Sequence, residues 1–275
     1  MSNNNLGTLF LVATPIGNLN EVSPRTIETL NKVDAIACED TRNTRKLLSH
    51  FDIHTKMYSY HNFNEQEEYG KLIDILKQGK DVALVSDAGY PLISDPGYVL
   101  VNEVIKENIN IVTISGPSAG INAIVASGLE TTHYMFYGFL NSKSSQAKKE
   151  LEGLKSFPYT IIFYEAPHRI NKTLSLMLEV LGDRKICIAR ELTKLHEEYL
   201  RGKISDLKDL ELKGEIVLIV EGNKQTEETI SDDDLLKEVS RLVEKGLKTK
   251  DAVKETADKY KVSKNDLYNK YLKNK

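Results

Sequence analysis

VALV (82–85) runs into SDAGYPLISDPG (86–97), and the fold is decided at that junction. Four consecutive apolar residues predict a strand buried on both faces. The turn after them holds two glycines, two prolines and the carboxylates Asp87 and Asp95, more backbone constraint than a simple reversal of direction needs. Helical periodicity resumes at Tyr98. In an open parallel sheet, ligands sit beyond the carboxyl ends of the strands, so Asp87 stands where a small molecule meets it. A plain surface turn is the competing reading, because glycine and proline punctuate most loops.

Outward from this junction, short apolar strands alternate with amphipathic helices. Strands are predicted near 9–13, 34–39, 56–60, 82–85 and 109–114. Between them lie helices at 24–31, where Ser23 caps and Pro24 starts the first turn, at 44–49, at 65–77 ended by Gly79, and at 98–107. Such alternation argues for a parallel sheet covered on both faces. SGPSAG (115–120) again places Gly and Pro at the end of a strand, before a helix at 118–127. A second set of strands follows near 135–139, 160–164, 185–192 and 215–220, with helices at 144–154 and 169–181.

The fold class is therefore α/β, in two domains, with a small helical domain at the C-terminal end. The expected divisions are 1–117, 118–224 and 225–275, with a polar linker at 222–230. Ser231, Thr249 and Ser263 read as caps of three terminal helices, and Gly246 closes the first of them. The spacing of Ala252, Ala257, Val262 and Leu267 resembles a helix-turn-helix. Residues 245–275 hold ten lysines against four acidic groups, a net of +6; the overall charge of −3 leaves −9 on the first 244 residues. A basic tail on an acidic body suits contact with a polyanion, whose counterions it releases. A solvated lysine-rich face, or a packing module, accounts for the same charges.

With 275 residues, 28% of them charged and 40% hydrophobic, the chain has the composition of a water-soluble globular protein. No apolar run approaches the roughly 20 residues of a membrane span. MSNNNLG (1–7) lacks the basic start and apolar core of a secretory signal, so a cytoplasmic location is expected. Cys38 and Cys187 lie inside apolar runs and read as small buried hydrophobes, in keeping with a reducing compartment. The first turn, Thr14-Pro15-Ile16-Gly17-Asn18, has a single glycine and no dinucleotide fingerprint. A phosphate-cradling loop and metal-ligand spacing are also missing from the sequence, so no metal is expected. What remains is a compact ligand without phosphates, held by turns and a few carboxylates.

ATPIGNL (13–19), EDTR (39–42), SDAGYPLISDPG (86–97), SGPSA (115–119) and YEAPHR (164–169), in that order, resemble the tetrapyrrole methylase superfamily. Within it they are most similar to the branch that methylates ribose 2′-hydroxyls of small-subunit ribosomal RNA. The resemblance runs from about residue 9 to 222. It implies S-adenosylmethionine folded into the cleft between two α/β domains, a homodimer, and a cytidine in the decoding region of 16S rRNA within the small ribosomal subunit as substrate. It places Pro15 and Ile16 against the cofactor, with Asp87, Gly89 and Tyr90 after the fourth strand and Ser118 and Ala119 after the fifth. From the second domain it adds Tyr164, Ala189, Gly214 and Glu215, matched by strand pattern.

Methyl transfer to a hydroxyl needs a base for the leaving proton or cations that stabilise the oxyanion. Glu165, His168 and Arg169 lie just beyond one strand; Glu39, Asp40 and Arg42 lie beyond another. Glu165, His168, Arg169 and Arg42 are the catalytic candidates. An ion-pair network at a helix start is the alternative for the Arg42 group, or an RNA phosphate contact, and a helix cap is the alternative for His168. Relatives of the same architecture methylate corrin or porphyrin rings or a modified histidine of an elongation factor, and a ligand-sensing nucleic-acid binder is the non-enzymatic alternative.

Overall fold

The computed structural model describes residues 6–61, 65–224, 231–260 and 262–273. The extreme start of the chain and most of the expected linker, 225–230, lie outside the described residues. The chain forms two compact units, Met1–Asn223 and Lys224–Lys275.

Among its described residues, the first unit carries two five-stranded sheets. The first sheet is built from β1 (Thr8–Val12), β2 (Ala35–Cys38), β3 (Met57–Ser59), β4 (Val82–Val85) and β5 (Asn110–Ile114) in the order β3-β2-β4-β1-β5. Every pairing in it is parallel. β2 and β4 are buried at every position, which is why their sequences are apolar without alternation. The crossovers are α1 (Pro24–Lys32), α2 (Thr41–His50), α3 (Glu65–Lys77) and α4 (Tyr98–Lys106).

Ser23 Oγ accepts from the Thr26 amide at 3.0 Å, so α1 starts as its Ser-Pro signal predicts. Helix α2 begins three residues earlier than the apolar periodicity indicates. Asp40 caps it by accepting from the Arg42 amide at 2.8 Å, a signal carried by polar residues alone. One face of the sheet packs Leu72, Leu76, Leu100 and Val104 against Leu9 and Leu84. The other packs Leu30, Leu47 and Leu48 against Val12, Ile36 and Val85. Each large side chain buried this way contributes about 1.5–3 kcal/mol.

Helix α5 (Ala119–Val125) leads to the second sheet, formed by β6 (Tyr134–Phe139), β7 (Thr160–Glu165), β8 (Lys185–Arg190), β9 (Glu198–Lys203) and β10 (Ile216–Val220). Its order is β6-β7-β10-β8-β9. Only β6 and β7 run parallel; central β10 is antiparallel to both β7 and β8, and β8 is antiparallel to β9. Helices α6 (Ser144–Leu154), α7 (Ile170–Leu181) and α8 (Ile204–Leu207) cover one face, around Phe163, Leu174, Met177 and Leu218. On the other face Ala123 and Ile124 of α5, joined by Ile16 from the first sheet's β1 turn, pack on Ala189, Val217 and Ile219.

Two departures from the sequence reading have local causes. EYLRGK (198–203) was not among the expected strands, yet it forms β9, a polar edge strand with neither alternation nor an apolar run to announce it. The strand expected to reach 192 stops at Arg190, because Glu191 turns to φ +50° and Thr193 to φ +66°. The sequence expectation splits this unit at residue 117; its two separate sheets support that division, which we keep as a proposal.

In the second unit, α9 (Asp232–Glu244), α10 (Thr249–Tyr260) and α11 (Lys264–Lys273) enclose Val239, Ala252, Val253, Ala257 and Leu267. Ser231 Oγ accepts from the Asp234 amide at 3.2 Å and Ser263 Oγ from the Asp266 amide at 3.3 Å. Gly246 ends the first helix at φ +97°. Thr249 is the first helical residue rather than a side-chain cap, the opening turn bonding back to the Lys248 carbonyl. Among the described residues, no helix is long and apolar enough to cross a membrane.

Candidate active site

Three loops converge at the carboxyl edge of the first sheet. The β1 turn and the β4 loop are stapled by reciprocal backbone bonds, Thr14 N–H to Gly89 O at 2.9 Å and Gly89 N–H to Thr14 O at 3.0 Å. Thr14 Oγ1 donates to Ser86 O at 3.1 Å, and Ser86 Oγ to Gly89 O at 3.1 Å. Gly89 sits at φ +79°, a conformation that a side chain disfavours. The Gly116 amide donates to the Tyr90 hydroxyl at 3.2 Å, tying the β5 loop to the same floor. A Cβ at Gly116 would lie 2.8 Å from that of Ala13, so glycine is required for the close approach.

In the second sheet β10 runs opposite to β7 and β8, so its first residues lie at the same edge as the ends of those strands. That edge faces the three loops across a cleft of about 390 Å³. Its walls are Ile16, Asp87–Tyr90, Ile93–Asp95, Ser118 and Ala119 on one side, and Phe139, Tyr164–Pro167, Leu192 and Gly214–Val217 on the other. The volume falls within the range of small-molecule sites, and the lining is largely apolar with a few converging polar groups.

Of the expected cofactor contacts, Ile16, Asp87, Gly89, Tyr90, Ser118, Ala119, Tyr164, Gly214 and Glu215 line this cleft. Pro15 and Ala189 are not among its lining residues. Pro15 borders a neighbouring cavity instead. Ala189 is wholly buried between its partners Val217 and Tyr199, with its side chain in the core behind the cleft. Asp87 is exposed at the rim, where its Oδ2 accepts from Asn43 Nδ2 at 2.9 Å.

Among the catalytic candidates, only Glu165 borders the cleft. It is 4% exposed and fully engaged: it accepts from Thr173 Oγ1 and from the Ala166 amide at 2.7 Å, and pairs with Arg169 Nε at 3.3 Å. Arg169 also donates to Leu140 O at 2.9 Å. Together they brace the end of β7 against α7 and the end of β6, a structural task that leaves Glu165 no idle oxygen. His168 is exposed, outside the cleft lining. Arg42 is also outside it; its side chain is 84% exposed and paired with Asp40 at 2.8 Å. Residue type and position beyond a strand revealed neither of these orientations.

Sequence reasoning did not assign Asp95, Ser94, Ile93, Phe139, Leu192 or Val217 to the site. Asp95 and Ser94 lie within SDAGYPLISDPG (86–97), but their approach depends on the left-handed Leu92 (φ +71°) and Ser94 (φ +69°), for which no glycine gives a signal. Phe139 meets Tyr164 edge to face at 5.6 Å, a contact only the register of β6 and β7 creates.

Among the described residues, the lining includes Asp87, Asp95, Glu165 and Glu215 and no lysine, arginine or histidine. Burial, then the neighbouring Glu39 carboxylate, pushes Asp95 up to about 6, against a hydrogen bond with Ser86 that lowers it. Burial and then Asp87 raise Glu39 as well. Folded Asp95 therefore holds a proton that the unfolded chain has released between about pH 4 and 6, and its ionisation costs stability as pH rises through that window. Asp95→Asn is expected to raise the melting temperature relative to wild type above pH 6, with the two curves converging near pH 4. Equal melting temperatures at pH 7.5 would remove the strained carboxylate.

The fold and cleft define a two-sheet α/β protein with a cleft of small-molecule size between the sheets. The chain belongs to the tetrapyrrole (corrin/porphyrin) methylases, whose match spans residues 8–208. Its similarity to individual proteins extends further. It is 48% identical over 273 residues to a ribosomal RNA small subunit methyltransferase I from Halalkalibacterium halodurans, covering 96% of this chain and 94% of the relative. It is 44% identical over 278 residues to the protein of the same description from Bacillus subtilis, covering 97% and 94%. A crystal structure of the methyltransferase CobJ superposes with a TM-score of 0.61 at 17% identity, covering 79% of this chain and 95% of that one, a likeness of fold.

Proposed function

We propose that this protein transfers a methyl group from S-adenosylmethionine to the 2′-hydroxyl of a cytidine in the decoding region of 16S rRNA, acting on the small ribosomal subunit in the cytoplasm as a homodimer. The observation that carries this reading is near-full-length similarity to proteins described as ribosomal RNA small subunit methyltransferases. That similarity reaches beyond the family match at 8–208 to take in 96–97% of the chain.

The donor set of the cleft fits such a cofactor. Ile16, Leu192, Ile216 and Val217 supply apolar walls for a purine ring, and Tyr164 and Phe139 supply aromatic ones. Asp87 and Asp95 supply negative charge for a cationic, hydroxyl-bearing ligand, with no basic side chain in the described lining to oppose them. When bound, the donor supplies an electrophilic methyl carbon on a positively charged sulfur.

The chain's own residues do the rest. The apolar walls exclude water, which strengthens the attraction between the carboxylates and a cation. The stapled β1, β4 and β5 loops fix the floor, so little ordering is required on binding. Arg42, which keeps donors free of Asp40 on its exposed guanidinium, is assigned to RNA phosphates. Glu165 and Arg169 are assigned to holding the β7 edge in place, and His168 to the protein surface beside it. The last two helices of the second unit, with the lysine excess of residues 245–275, are assigned to the RNA.

The test is to incubate the protein with methyl-labelled donor and small subunits lacking the modification. Label is expected in 16S rRNA, on a cytidine 2′-oxygen located by mass spectrometry. Label confined to protein or to small molecules would overturn the reading. Removing residues 226–275 is expected to weaken RNA binding while donor affinity holds.

A further inference from the structure

Asp95 lines the cleft on a stretch of backbone that is held there under strain. Leu92 at φ +71° and Ser94 at φ +69° are left-handed without being glycine, a conformation that costs about 1–3 kcal/mol at each position. Leu92 packs against the core of the first sheet, and Pro96 and Gly97 are buried on the other side of Asp95. The carboxylate is thus fixed between two anchored points.

Its surroundings within the protein oppose its charge. Burial, then the like charge of Glu39 at the end of β2, pushes Asp95 up to about 6, and Asp87 in the β4 loop acts in the same direction. Tyr164 faces it from β7 of the second sheet as a neutral hydroxyl, whose own ionisation is opposed by burial and by Asp95. Ser86 offers a hydrogen bond, but its single proton is also received by Gly89 O. The charged groups nearby act on other residues. Arg169 pairs with Glu165, Lys194 with Glu215 at 2.9 Å and Arg42 with Asp40, while His61 acts on Glu39. Among the described residues, the cleft lining gives Asp95 no lysine, arginine or histidine. A cationic ligand in the cleft would supply the opposite charge.

We propose that Asp95 is the residue by which the cleft distinguishes methyl donor from spent donor: its carboxylate is matched by the donor's sulfonium and meets no cation on the thioether that transfer leaves behind. The proposal rests on the methyl-transfer reading above and adds a specificity-determining residue to it. Transfer breaks the S–C bond, leaves its electron pair on sulfur and forms the C–O bond, while the 2′-hydroxyl proton departs to water. One positive charge opposite Asp95 is lost in that step. Asp95 then stands among carboxylates again, and its attraction for the ligand falls just when the product must leave. Asp87, exposed at the rim and held by Asn43, is screened by water and contributes less.

The test is calorimetric, on the full-length protein with S-adenosylmethionine and, separately, S-adenosylhomocysteine. The two ligands share their amino-acid and nucleoside parts, so titration of those parts cancels in the comparison. The donor pairs with ionised Asp95, so its affinity is expected to strengthen about tenfold from pH 5 to 7.5 and then level off, while product affinity stays within about twofold. At pH 6 in buffers of different ionisation heat, donor binding should release about 0.4 proton and product binding none. Asp95→Asn should lose about tenfold in donor affinity at pH 7.5, keep product affinity and abolish the proton release. Glu39→Gln, which removes a like charge and leaves Asp95 in place, should keep the preference and move its midpoint to lower pH. Donor and product affinities that change in parallel with pH, or an Asp95→Asn protein with the wild-type preference, overturn the role of Asp95. Wild-type protein that binds neither ligand at any pH overturns the donor-site reading itself.

Discussion

Glu165→Ala is expected to lower the unfolding free energy of the first unit by about 3 kcal/mol, the lower end for breaking a buried ion pair. Its carboxylate is the meeting point of the Thr173 hydroxyl, the Ala166 amide and the Arg169 guanidinium, so truncation strands three donors at once. The lower end applies because Arg169 remains 23% exposed and keeps its bond to Leu140 O. The corresponding fall in melting temperature is roughly 6–12 °C for a unit of this size. Glu165→Gln, which preserves acceptor geometry but not charge, should lose about 1 kcal/mol. Thermal melts of the three proteins check both values. Unchanged melting in Glu165→Ala, together with lost methyl transfer, would return Glu165 to the role of proton acceptor and remove its bracing role.

Ala119→Trp is expected to reduce affinity for S-adenosylmethionine at least about 100-fold, or about 2.7 kcal/mol. Ala119 opens α5 at the floor of the cleft, directly after the β5 loop, and an indole there projects into the space between the two sheets. The effect is steric rather than electrostatic, so raising the salt concentration should not change it. Calorimetry measures the affinity and a thermal melt verifies the fold. Normal donor binding by a folded Ala119→Trp protein would place the donor outside the cleft.

The first sheet was legible because β2 and β4 are buried on both faces and their sequences are continuously apolar. Its loops were legible because close approach at Gly116 and the left-handed turn at Gly89 demand glycine, and glycine is visible in a sequence. The second sheet was read less completely. β9 is polar, and the mixed strand directions follow from the short β8–β9 connection and the central placement of β10, which periodicity does not encode.

The same distinction runs through the site. Ile16 and Pro15 are neighbours in one motif, yet they border different cavities, because consecutive residues in a turn point to different sides. Ala189 was matched by strand pattern and shares a sheet face with its partner Val217, yet it is wholly buried and not among the cleft's lining residues, while Leu192, just beyond the strand, reaches the cleft. Charged residues gave the least reliable guidance. Arg42 and His168 lie beyond strands and Glu165 ends one, and they are found exposed on an ion pair, exposed outside the cleft, and buried in a brace.

A crystal structure grown with S-adenosylmethionine tests the central claim, that the methyl donor lies between the two sheets. Density is expected in contact with Ile16, Ala119 and Tyr164, with the positively charged end toward Asp87 and Asp95. A donor bound outside that cleft would contradict it.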